Sequence, residues 1–355
     1  MSALKALTDL NFPLCLAPMV GLTHVALRHV IQDYLPENAS TIWPTEMLNS
    51  RRVPGENLQR TPETLRRAEE QYLVPQILGN EEIPIQKSVD RLVNEWGACA
   101  IDINMGCPVQ KALKHNYGVS LMGDVNYAAR VVEITKRSTN VPVSVKLRAV
   151  GSDQSLPQLI AFVQKLVDSG ADWITLHPRT AEQKRRGQAD WNQITELKKV
   201  IQVPLIGNGD IQTVDDALAM LTQTQVDKVM SGRGLAARPW MMWQLGEKLG
   251  FAEPVLHKGR RAPMTEIEEG SEYGACLLKL IDYAEESFIG QALAAESLAI
   301  RKIQFYIRTT HVWLEFGHTL MAKTSRVQSL EELREQVRIF FTNEQRMFAR
   351  TELRQ

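Results

Sequence analysis

Eight short runs of β-branched and apolar residues, each closed by turn residues, recur along the chain up to residue 234. Amphipathic stretches such as 82–97 separate them, and several runs are apolar on both faces, as parallel strands covered by helices must be. This count and spacing predict an α/β fold of the (β/α)8 barrel type, with a doubly wound open sheet as the alternative. The runs span 14–18, 41–47, 73–79, 99–106, 141–148, 173–179, 203–209 and 227–234.

The pattern changes after Trp240, where the strand signal ends. Residues 250–270 are rich in proline, glycine and charge, which predicts a linker. From residue 271 onward the apolar residues follow helical spacing to the end of the chain. The sequence therefore predicts a TIM barrel over 1–249, a linker over 250–270 and a small all-helical C-terminal domain over 271–355.

The composition limits the class of protein. Hydrophobic residues make up 44% of the 355 residues, yet no apolar run reaches the length of about 18 that a membrane span needs. The first residues lack the apolar core of a signal peptide, and the four cysteines show no paired spacing, so we expect a cytoplasmic protein with reduced thiols. Basic and acidic residues number 41 each, so any surface that attracts nucleic acid must be local.

Functional side chains of such barrels collect at the carboxyl ends of the strands, where the loops meet over the mouth. Nearly every predicted strand here ends in polar or glycine residues, so we expect one site at this rim. These residues are Pro18, Met19, Glu46, Gln76, Asn104, Cys107, Lys146, Arg148, His177, Arg179, Asn208, Gly209, Asp210, Gly232 and Arg233.

Glycines after the last two strands predict an anion site. Gly209 and Gly232 each precede a helical stretch, where a backbone without a side chain lets N–H groups approach a phosphate. Gly232-x-Gly234-x-x-Ala237 also resembles a dinucleotide fingerprint, but it follows the eighth strand instead of opening a βαβ unit. A mononucleotide-sized phosphate fits better, and glycines needed only for tight turns are the alternative.

Lys146 is the sole lysine of an otherwise apolar strand. A cation buried at the rim needs an anionic or electron-rich partner, and reduced flavin carries negative charge near N1 and O2. A lysine that extends into solvent is the alternative. The presence of His177 and Gln76 at the same rim favours flavin.

Cys107 lies between a glycine and a proline at a strand end. No Cys-x-x-Cys motif is near it, and His24 and His29 have no ligating spacing with it, which argues against a metal site. A nucleophile would need a base, for which His115 is the near candidate in sequence. A proton donor needs only a mobile loop and access to substrate. Both roles stay open, and a small buried filler is the alternative.

A set of motifs between residues 14 and 240 resembles the tRNA-dihydrouridine synthase family. In order, they are "APMVGLT", "PQILG", "DINMGCPVQK", "VSVKLR", "LHPRTAEQ", "GQADW", "IGNGDI" and "VMSGRG". The helical tail is consistent with the RNA-binding domain of that family. The resemblance implies that NADPH reduces bound FMN, and that N5 of the flavin passes a hydride to C6 of a uridine in tRNA, in the D-loop.

The resemblance also implies roles for residues. Cys107 matches the family's catalytic cysteine, which protonates C5, and Asn104 would lie close to both flavin and uracil. The chain departs from the family pattern at His24, where aspartate is common, at Pro178, where glycine is frequent, and in the bulkier run "YGVSLM". FMN contacts would come from Pro18, Met19, Val20, Gln76, Lys146, His177, Asn208, Gly209, Asp210, Gly232 and Arg233.

Two basic regions are candidates for holding the RNA, since phosphate contacts combined with stacking on aromatic rings hold flexible RNA. Residues 271–355 contain 11 basic and 11 acidic side chains, so an ordinary solvated helix surface is the alternative for the tail. The tail offers Arg301, Lys302 and Arg308 interleaved with Phe305, Tyr306 and Trp313. The rim loops offer Lys111, Lys114, His115, Arg148, Arg179, Lys184, Arg185, Arg186 and Arg238.

Two other functions are compatible with the sequence. One is a small-molecule FMN oxidoreductase similar to the dihydropyrimidine or dihydroorotate dehydrogenases, which would need neither the basic rim nor the helical tail. The other is a barrel that binds tRNA without reducing it, which would not need Cys107, Lys146 and His177 together. Nothing in the sequence requires more than a monomer.

Overall fold

A computed structural model of the chain describes residues 4–108, 116–149, 156–183, 186–289 and 296–352. Five of the basic residues predicted to contact RNA lie outside these ranges: Lys111, Lys114, His115, Lys184 and Arg185.

All eight predicted strands form one parallel sheet with the order β1-β8-β7-β6-β5-β4-β3-β2. The two ends of this order meet, because the Thr41 hydroxyl donates to the Leu14 carbonyl at 2.9 Å and Phe12 N–H donates to the Ser40 carbonyl at 2.9 Å. The sheet is therefore the predicted (β/α)8 barrel. The strands are β1 Leu14–Leu16, β2 Trp43–Asn49, β3 Leu73–Leu78, β4 Ile101–Met105, β5 Val143–Arg148, β6 Trp173–His177, β7 Leu205–Asn208 and β8 Lys228–Ser231.

Helices follow the strands, with one exception. The segment 50–72 between β2 and β3 contains only a single 3-10 turn, Val53–Gly55, because Pro54, Gly55 and Pro62 break the helical pattern there. The α-helices of the described residues span Val25–Gln32, Glu82–Asp90, Val125–Arg137, Leu156–Asp168, Trp191–Lys198, Val214–Thr224, Arg233–Ala237, Met241–Lys248, Glu266–Ala284, Glu296–Thr310, Gly317–Thr324 and Leu330–Phe341.

The first helix of the tail begins at Glu266, inside the predicted linker 250–270. Thr265 caps it, accepting from the Glu268 N–H while the Glu268 carboxylate accepts from the Thr265 N–H. This capping box lies within a charged run that suggested a linker. The division of the chain at residues 249 and 271 stays a prediction.

An apolar layer fills the amino-terminal half of the barrel interior. Trp173 is its largest member and is almost fully buried. Since side chains alternate along a strand, the residues two positions further on face inward too, nearer the mouth. The layer comprises Cys15, Ala17, Val74, Ala100, Trp173, Ile206 and Met230, with Leu4, Leu7, Leu10 and Ile42 beside it.

The tail packs on β2 itself and on the segments after β1, β7 and β8, four neighbours around the barrel. The Tyr306 hydroxyl donates to the Ala236 carbonyl at 3.0 Å, and the Trp313 indole N–H donates to the Gln212 side chain at 2.9 Å. Ala236 lies in the helix after β8, and Gln212 in the loop after β7. These contacts place the tail helices over one half of the rim, opposite the half formed by β3 to β6.

No helix within the described ranges has both the length and the apolar character needed to cross a membrane.

A fully buried ion pair joins helix Val25–Gln32 to the segment before β3. Arg28 donates to both carboxylate oxygens of Glu70, at 2.8 and 3.0 Å, and neither side chain is exposed.

We expect Arg28→Met to lower the free energy of unfolding by about 3–5 kcal/mol, because Glu70 would stay buried without its cation. Urea denaturation measures this. Arg130→Met, which breaks a half-exposed pair with Glu82, serves as control and should have little effect; equal losses would contradict the prediction.

Candidate functional site

Inward-facing polar side chains from five neighbouring strands form the upper layer of the barrel interior. Strand alternation places them there, one step above the apolar layer around Trp173. Pairing between β4 and β5 sets Asn104 beside Lys146. The inward-facing polar residues include Gln76, Asp102, Asn104, Ser144, Lys146, Thr175, His177 and Asn208.

Asn104 holds the backbone of Cys107. Its side-chain oxygen accepts from the N–H groups of Gly106, at 3.1 Å, and Cys107, at 2.9 Å. The Cys107 carbonyl in turn accepts from Val119 N–H at 3.2 Å. Gly118 packs so closely that a Cβ there would lie 2.7 Å from that carbonyl oxygen. Cys107 is therefore fixed on both sides at the mouth of the barrel.

The environment of Cys107 differs from that of the other three cysteines, none of which forms a disulfide. Burial raises the pKa of Cys15 and of Cys99 to about 12, and it raises the pKa of Cys276 further. The Cys107 side chain is only half-buried and close enough to Lys146 to interact with it electrostatically. Among the four thiols, Cys107 is the one placed for chemistry.

Lys146 lies beneath the mouth and donates to the Asn208 side-chain oxygen at 3.2 Å. Burial lowers the pKa of Lys146 to about 8, and the charge of Arg148 acts in the same direction. Asn208 is oriented by its own N–H donation to the Met230 carbonyl at 2.7 Å. Because Lys146 is bonded to a neutral amide, it is a cation suited to an anionic ligand.

His177 is a neutral ring in this site. Burial, followed by the charges of Lys146 and Arg148, lowers its pKa well below the ordinary value. The Arg179 guanidinium lies 3.2 Å from Nε2 and can only donate, so Nε2 accepts and the proton of the ring is on Nδ1. His177 therefore presents an N–H donor at the rim.

Arg179 and Asp210 bind each other, with the guanidinium 2.5 Å from the carboxylate. The other Asp210 oxygen accepts from Ala189 N–H at 2.6 Å, and Arg179 is almost fully buried. The side chains of these two predicted ligands thus organise the loops after β6 and β7.

Two of the predicted glycines lie where side chains would intrude. Gly209 has φ +122°, and a Cβ there would lie 3.1 Å from the His177 ring. A Cβ on Gly232 would lie 3.1 Å from Met19 Sδ. Pro18, Met19 and Arg233 are half-buried around this point, and Val20 is exposed.

Arg148 connects two loops of the open half of the rim. Its Nε donates to the Gly106 carbonyl at 2.8 Å, next to Cys107, and its Nη1 donates to the Thr180 carbonyl at 3.2 Å. The guanidinium is half-buried and adjacent to the mouth.

In the tail, Arg301 is exposed, whereas Lys302 is bonded to a carboxylate of the barrel. The Lys302 ammonium lies 2.5 Å from Glu46, which also accepts from Gly21 N–H at 2.6 Å. The Phe305 ring packs on Gly21, where a Cβ would lie 2.9 Å from it. Lys302 therefore attaches the tail to the rim.

Four residues of the predicted RNA-binding surface are buried instead, namely Arg179, which is paired with Asp210, and three others. Tyr306 and Trp313 are almost fully buried and hydrogen bonded to the barrel, so they cannot be stacking platforms as predicted. Arg238 is 1% exposed and paired with Glu269 at 3.1 Å, so the prediction that it adds to a basic rim is also wrong. Their sequence pattern resembles that of an RNA-binding helix because aromatic and basic residues also serve in buried interfaces.

Asp102 and Ser144 belong to this layer but are absent from the predicted site. Asp102 accepts from Gln76 Nε2 at 2.6 Å and from the Ser144 hydroxyl at 2.5 Å, and it is 7% exposed. The sequence pattern does indicate Asp102: side chains alternate along a strand, so an aspartate two residues before Asn104 must face the same side. A search confined to strand ends passes over it.

Comparison with known proteins places this arrangement in a family. Residues 15–258 match the family model described as dihydrouridine synthase (Dus). The probable tRNA-dihydrouridine synthase of Rhizobium leguminosarum bv. phaseoli is 34% identical over 241 residues, 67% of this chain and 72% of that protein. The probable tRNA-dihydrouridine synthase of Rhodobacter capsulatus is 31% identical over 256 residues, 70% of this chain and 76% of that one. The chain belongs to the dihydrouridine synthase family.

The resemblance stated from the motifs is thereby confirmed. One departure from the dihydrouridine synthase pattern also has a structural explanation. His24 occupies the N-cap of helix Val25–Gln32, and its Nδ1 accepts from Leu27 N–H at 3.4 Å. A neutral imidazole thus performs the capping that an aspartate carboxylate provides. Burial keeps the ring neutral, since it lowers the pKa of His24 well below its ordinary value.

The contact between Gly118 and Cys107 can be tested by adding one methyl group. Gly118 has φ +60°, so Gly118→Ala should cost about 1–2 kcal/mol in the free energy of unfolding and displace the Cys107 carbonyl. Thermal unfolding and the rate of Cys107 alkylation measure the two effects. Gly123→Ala is the matched control, because no described atom lies within 4 Å of a Cβ there. The interpretation fails if both variants behave alike.

Proposed function

We propose that this chain is a tRNA-dihydrouridine synthase that reduces the C5–C6 double bond of a uridine in the D-loop of tRNA, using FMN and NADPH. We further propose that it acts as a monomer in the cytoplasm. The observation that carries the proposal is the pairing of Asn104 with the Cys107 backbone, directly above the buried cation Lys146. Family membership supports the reaction class.

The residues at the mouth fit FMN. Lys146 supplies a buried cation bonded only to a neutral amide, suited to the negative charge of a reduced flavin near N1 and O2. The His177 Nδ1–H is a donor that could orient a flat ring, and so is the second amide hydrogen of Gln76 and of Asn208, whose first hydrogens go to Asp102 and Met230. Gly209 and Gly232 carry a bare backbone that a phosphate could approach, although a Cβ at either position would first meet the protein's own Ala189 or Met19. We therefore assign the flavin to these residues, with Pro18, Met19, Val20, Asp210 and Arg233 around them.

The reduction of the uracil needs one hydride at C6 and one proton at C5. FMN held by the residues above would supply the hydride, with NADPH as its reductant. The thiol of Cys107 supplies the proton, because its loop holds it at the mouth near Lys146, and solvent then returns a proton to the thiolate. Asn104 lies between the two and can bond the uracil edge.

The tRNA must release the uridine from its stack, which costs a few kcal/mol, so the protein must hold the RNA elsewhere. The tail stands over the β1, β2, β7 and β8 side of the rim, and Cys107 and Arg148 lie on the other side. We propose that the RNA enters between them, with Arg301 on the tail and Arg148 on the rim near its phosphates. Lys302 and Arg179 support this surface through their ion pairs.

A small-molecule FMN oxidoreductase is the second candidate, and a tRNA-binding barrel without activity is the third. The packed tail disfavours the former, since its contacts fix a second surface beside the mouth. The half-exposed thiol beside Lys146 disfavours the latter.

The deciding experiment purifies the protein, records the absorption of oxidised flavin, and measures dihydrouridine in unmodified tRNA incubated with NADPH. A colourless protein, or turnover of free pyrimidines without action on tRNA, would contradict the proposal.

Cys107→Ala should keep the flavin bound and slow dihydrouridine formation by about 10²-fold or more, because the positioned acid is lost. Mass spectrometry of digested tRNA gives the rate. Cys99→Ala removes a thiol whose pKa is raised by burial away from the mouth, and should leave the rate unchanged. Normal turnover in the Cys107 variant would remove this thiol from the reaction.

Arg301→Ala should weaken tRNA binding and reduce the slope of log affinity against log salt by about 1, because one phosphate contact is lost. Filter binding over a salt series measures the slope. Arg137→Ala is the control: this exposed arginine ends helix Val125–Arg137, at the face of the barrel opposite the mouth. Equal slopes for all three proteins would show that Arg301 lies outside the RNA interface.

A further inference from the structure

A buried carboxylate lies directly under the loop of Cys107. Asp102 is two residues before Asn104 on β4, so both side chains face the barrel interior, while Ile101, Ile103 and Met105 face the helices. Asp102 is 7% exposed, and its hydrogen bonds go to Gln76 and Ser144. Burial of a carboxylate is costly unless hydrogen bonds satisfy it fully, so we expect Asp102 to have a function at this position.

A chain of hydrogen bonds runs from Asp102 to the backbone of Cys107. Asp102 Oδ2 accepts from Gln76 Nε2 at 2.6 Å. Gln76 Oε1 accepts from Asn104 Nδ2 at 2.7 Å. Asn104 Oδ1 then accepts from the N–H groups of Gly106 and Cys107, at 3.1 and 2.9 Å.

The carboxylate gives this chain its direction. A side-chain amide has an oxygen that accepts and a nitrogen that donates, and the two ends can exchange by rotation. Both Asp102 oxygens accept, one from Gln76 and one from Ser144; burial raises the pKa of Asp102, while these two bonds and the charge of Lys146 favour the ionised form. An ionised carboxylate only accepts, so Gln76 must turn its nitrogen toward Asp102 and its oxygen toward Asn104. Asn104 must then turn its nitrogen toward Gln76, which leaves its oxygen for the two backbone N–H groups. Reversing the amides would set the Asn104 nitrogen against those N–H groups, donor against donor.

We propose that Asp102 is a positioning residue that, through Gln76 and Asn104, fixes the loop carrying the Cys107 thiol over the substrate. This inference rests on the proposed function for the role of the thiol, and on the hydrogen bonds alone for the position of the loop. Asp102 touches neither flavin nor uracil in this account.

The chain offers a matched control. Ser144 donates to the other oxygen of Asp102, Oδ1, at 2.5 Å and takes no part in the path to Cys107. Ser144→Ala therefore removes one hydrogen bond of the same buried carboxylate and leaves the Gln76 contact in place. Asp102→Asn is the conservative variant, because its amide oxygen can still accept from Gln76, without the charge.

The first test separates the two half-reactions in the flavin-loaded enzyme by stopped-flow absorbance. Asp102→Ala should keep reduction of the flavin by NADPH near the normal rate, and slow reoxidation by tRNA by about 10–100-fold, the scale expected for a misplaced group. Asp102→Asn should lose less, and Ser144→Ala should resemble the unaltered enzyme. Unchanged reoxidation in both Asp102 variants overturns the proposal, as does an equal slowing of both half-reactions.

The second test asks whether Asp102 acts through the thiol. In a Cys107→Ala background, Asp102→Ala or Asp102→Asn should slow reoxidation no further, because residues acting as a unit are not additive. A full additional loss would show that Asp102 acts elsewhere. The Asn variant keeps the shape of the side chain, so this test does not depend on the folding of the Ala variant.

A third measurement needs no activity. Alkylation of Cys107 by iodoacetamide, followed by mass spectrometry, should change in Asp102→Ala and Asp102→Asn but not in Ser144→Ala. If the unaltered protein forms no dihydrouridine, the proposed function fails, and the alkylation rates still decide the positioning role. Identical alkylation of all four proteins overturns it.

Discussion

Closure of a parallel sheet shields its interior from bulk water, so a polar group buried there is costly unless it is hydrogen bonded. This constraint governs the upper layer of the barrel. Asp102 is satisfied by Gln76 and Ser144, and Lys146 by Asn208. Below them the layer around Trp173 is apolar and carries no such demand. The site is therefore the part of the interior where hydrogen bonds, in place of packing, determine the position of each side chain.

The strands, the barrel and the ring of rim residues could be predicted from the sequence, because all of them depend on local patterns. The alternation of side chains along a strand is enough to assign Gln76, Asn104 and His177 to one side of their strands. The break between β2 and β3 was less accessible, since 50–72 has apolar residues at irregular spacing. The onset of the tail helix at Glu266 depended on a capping box hidden in a charged run.

Side-chain partners across the fold could not be predicted in this way. Lys302 and Arg301 are adjacent in sequence, yet one reaches Glu46 and the other faces solvent. Tyr306 and Trp313 carry the composition of an RNA-binding helix and serve as buried contacts with the barrel. Whether such a residue is buried or exposed depends on the side of the helix that it occupies. That side can be assigned to the barrel or to solvent only when the surface on which the helix packs is known. Strand alternation places Asp102 on the inner side of β4, but its partners Gln76 and Ser144 lie on other strands and cannot be predicted from that pattern.

The tail contacts reach both ends of the barrel sequence: Gly21 and Glu46 from its start, and Gln212 and Ala236 from its finish. Between these ends lies the join where the first strand pairs with the last. The tail thus bridges the pairing of β1 with β8. Because the tail contacts both sides of this pair, we expect local separation of the first strand from the last to require undocking of residues that come much later in the chain.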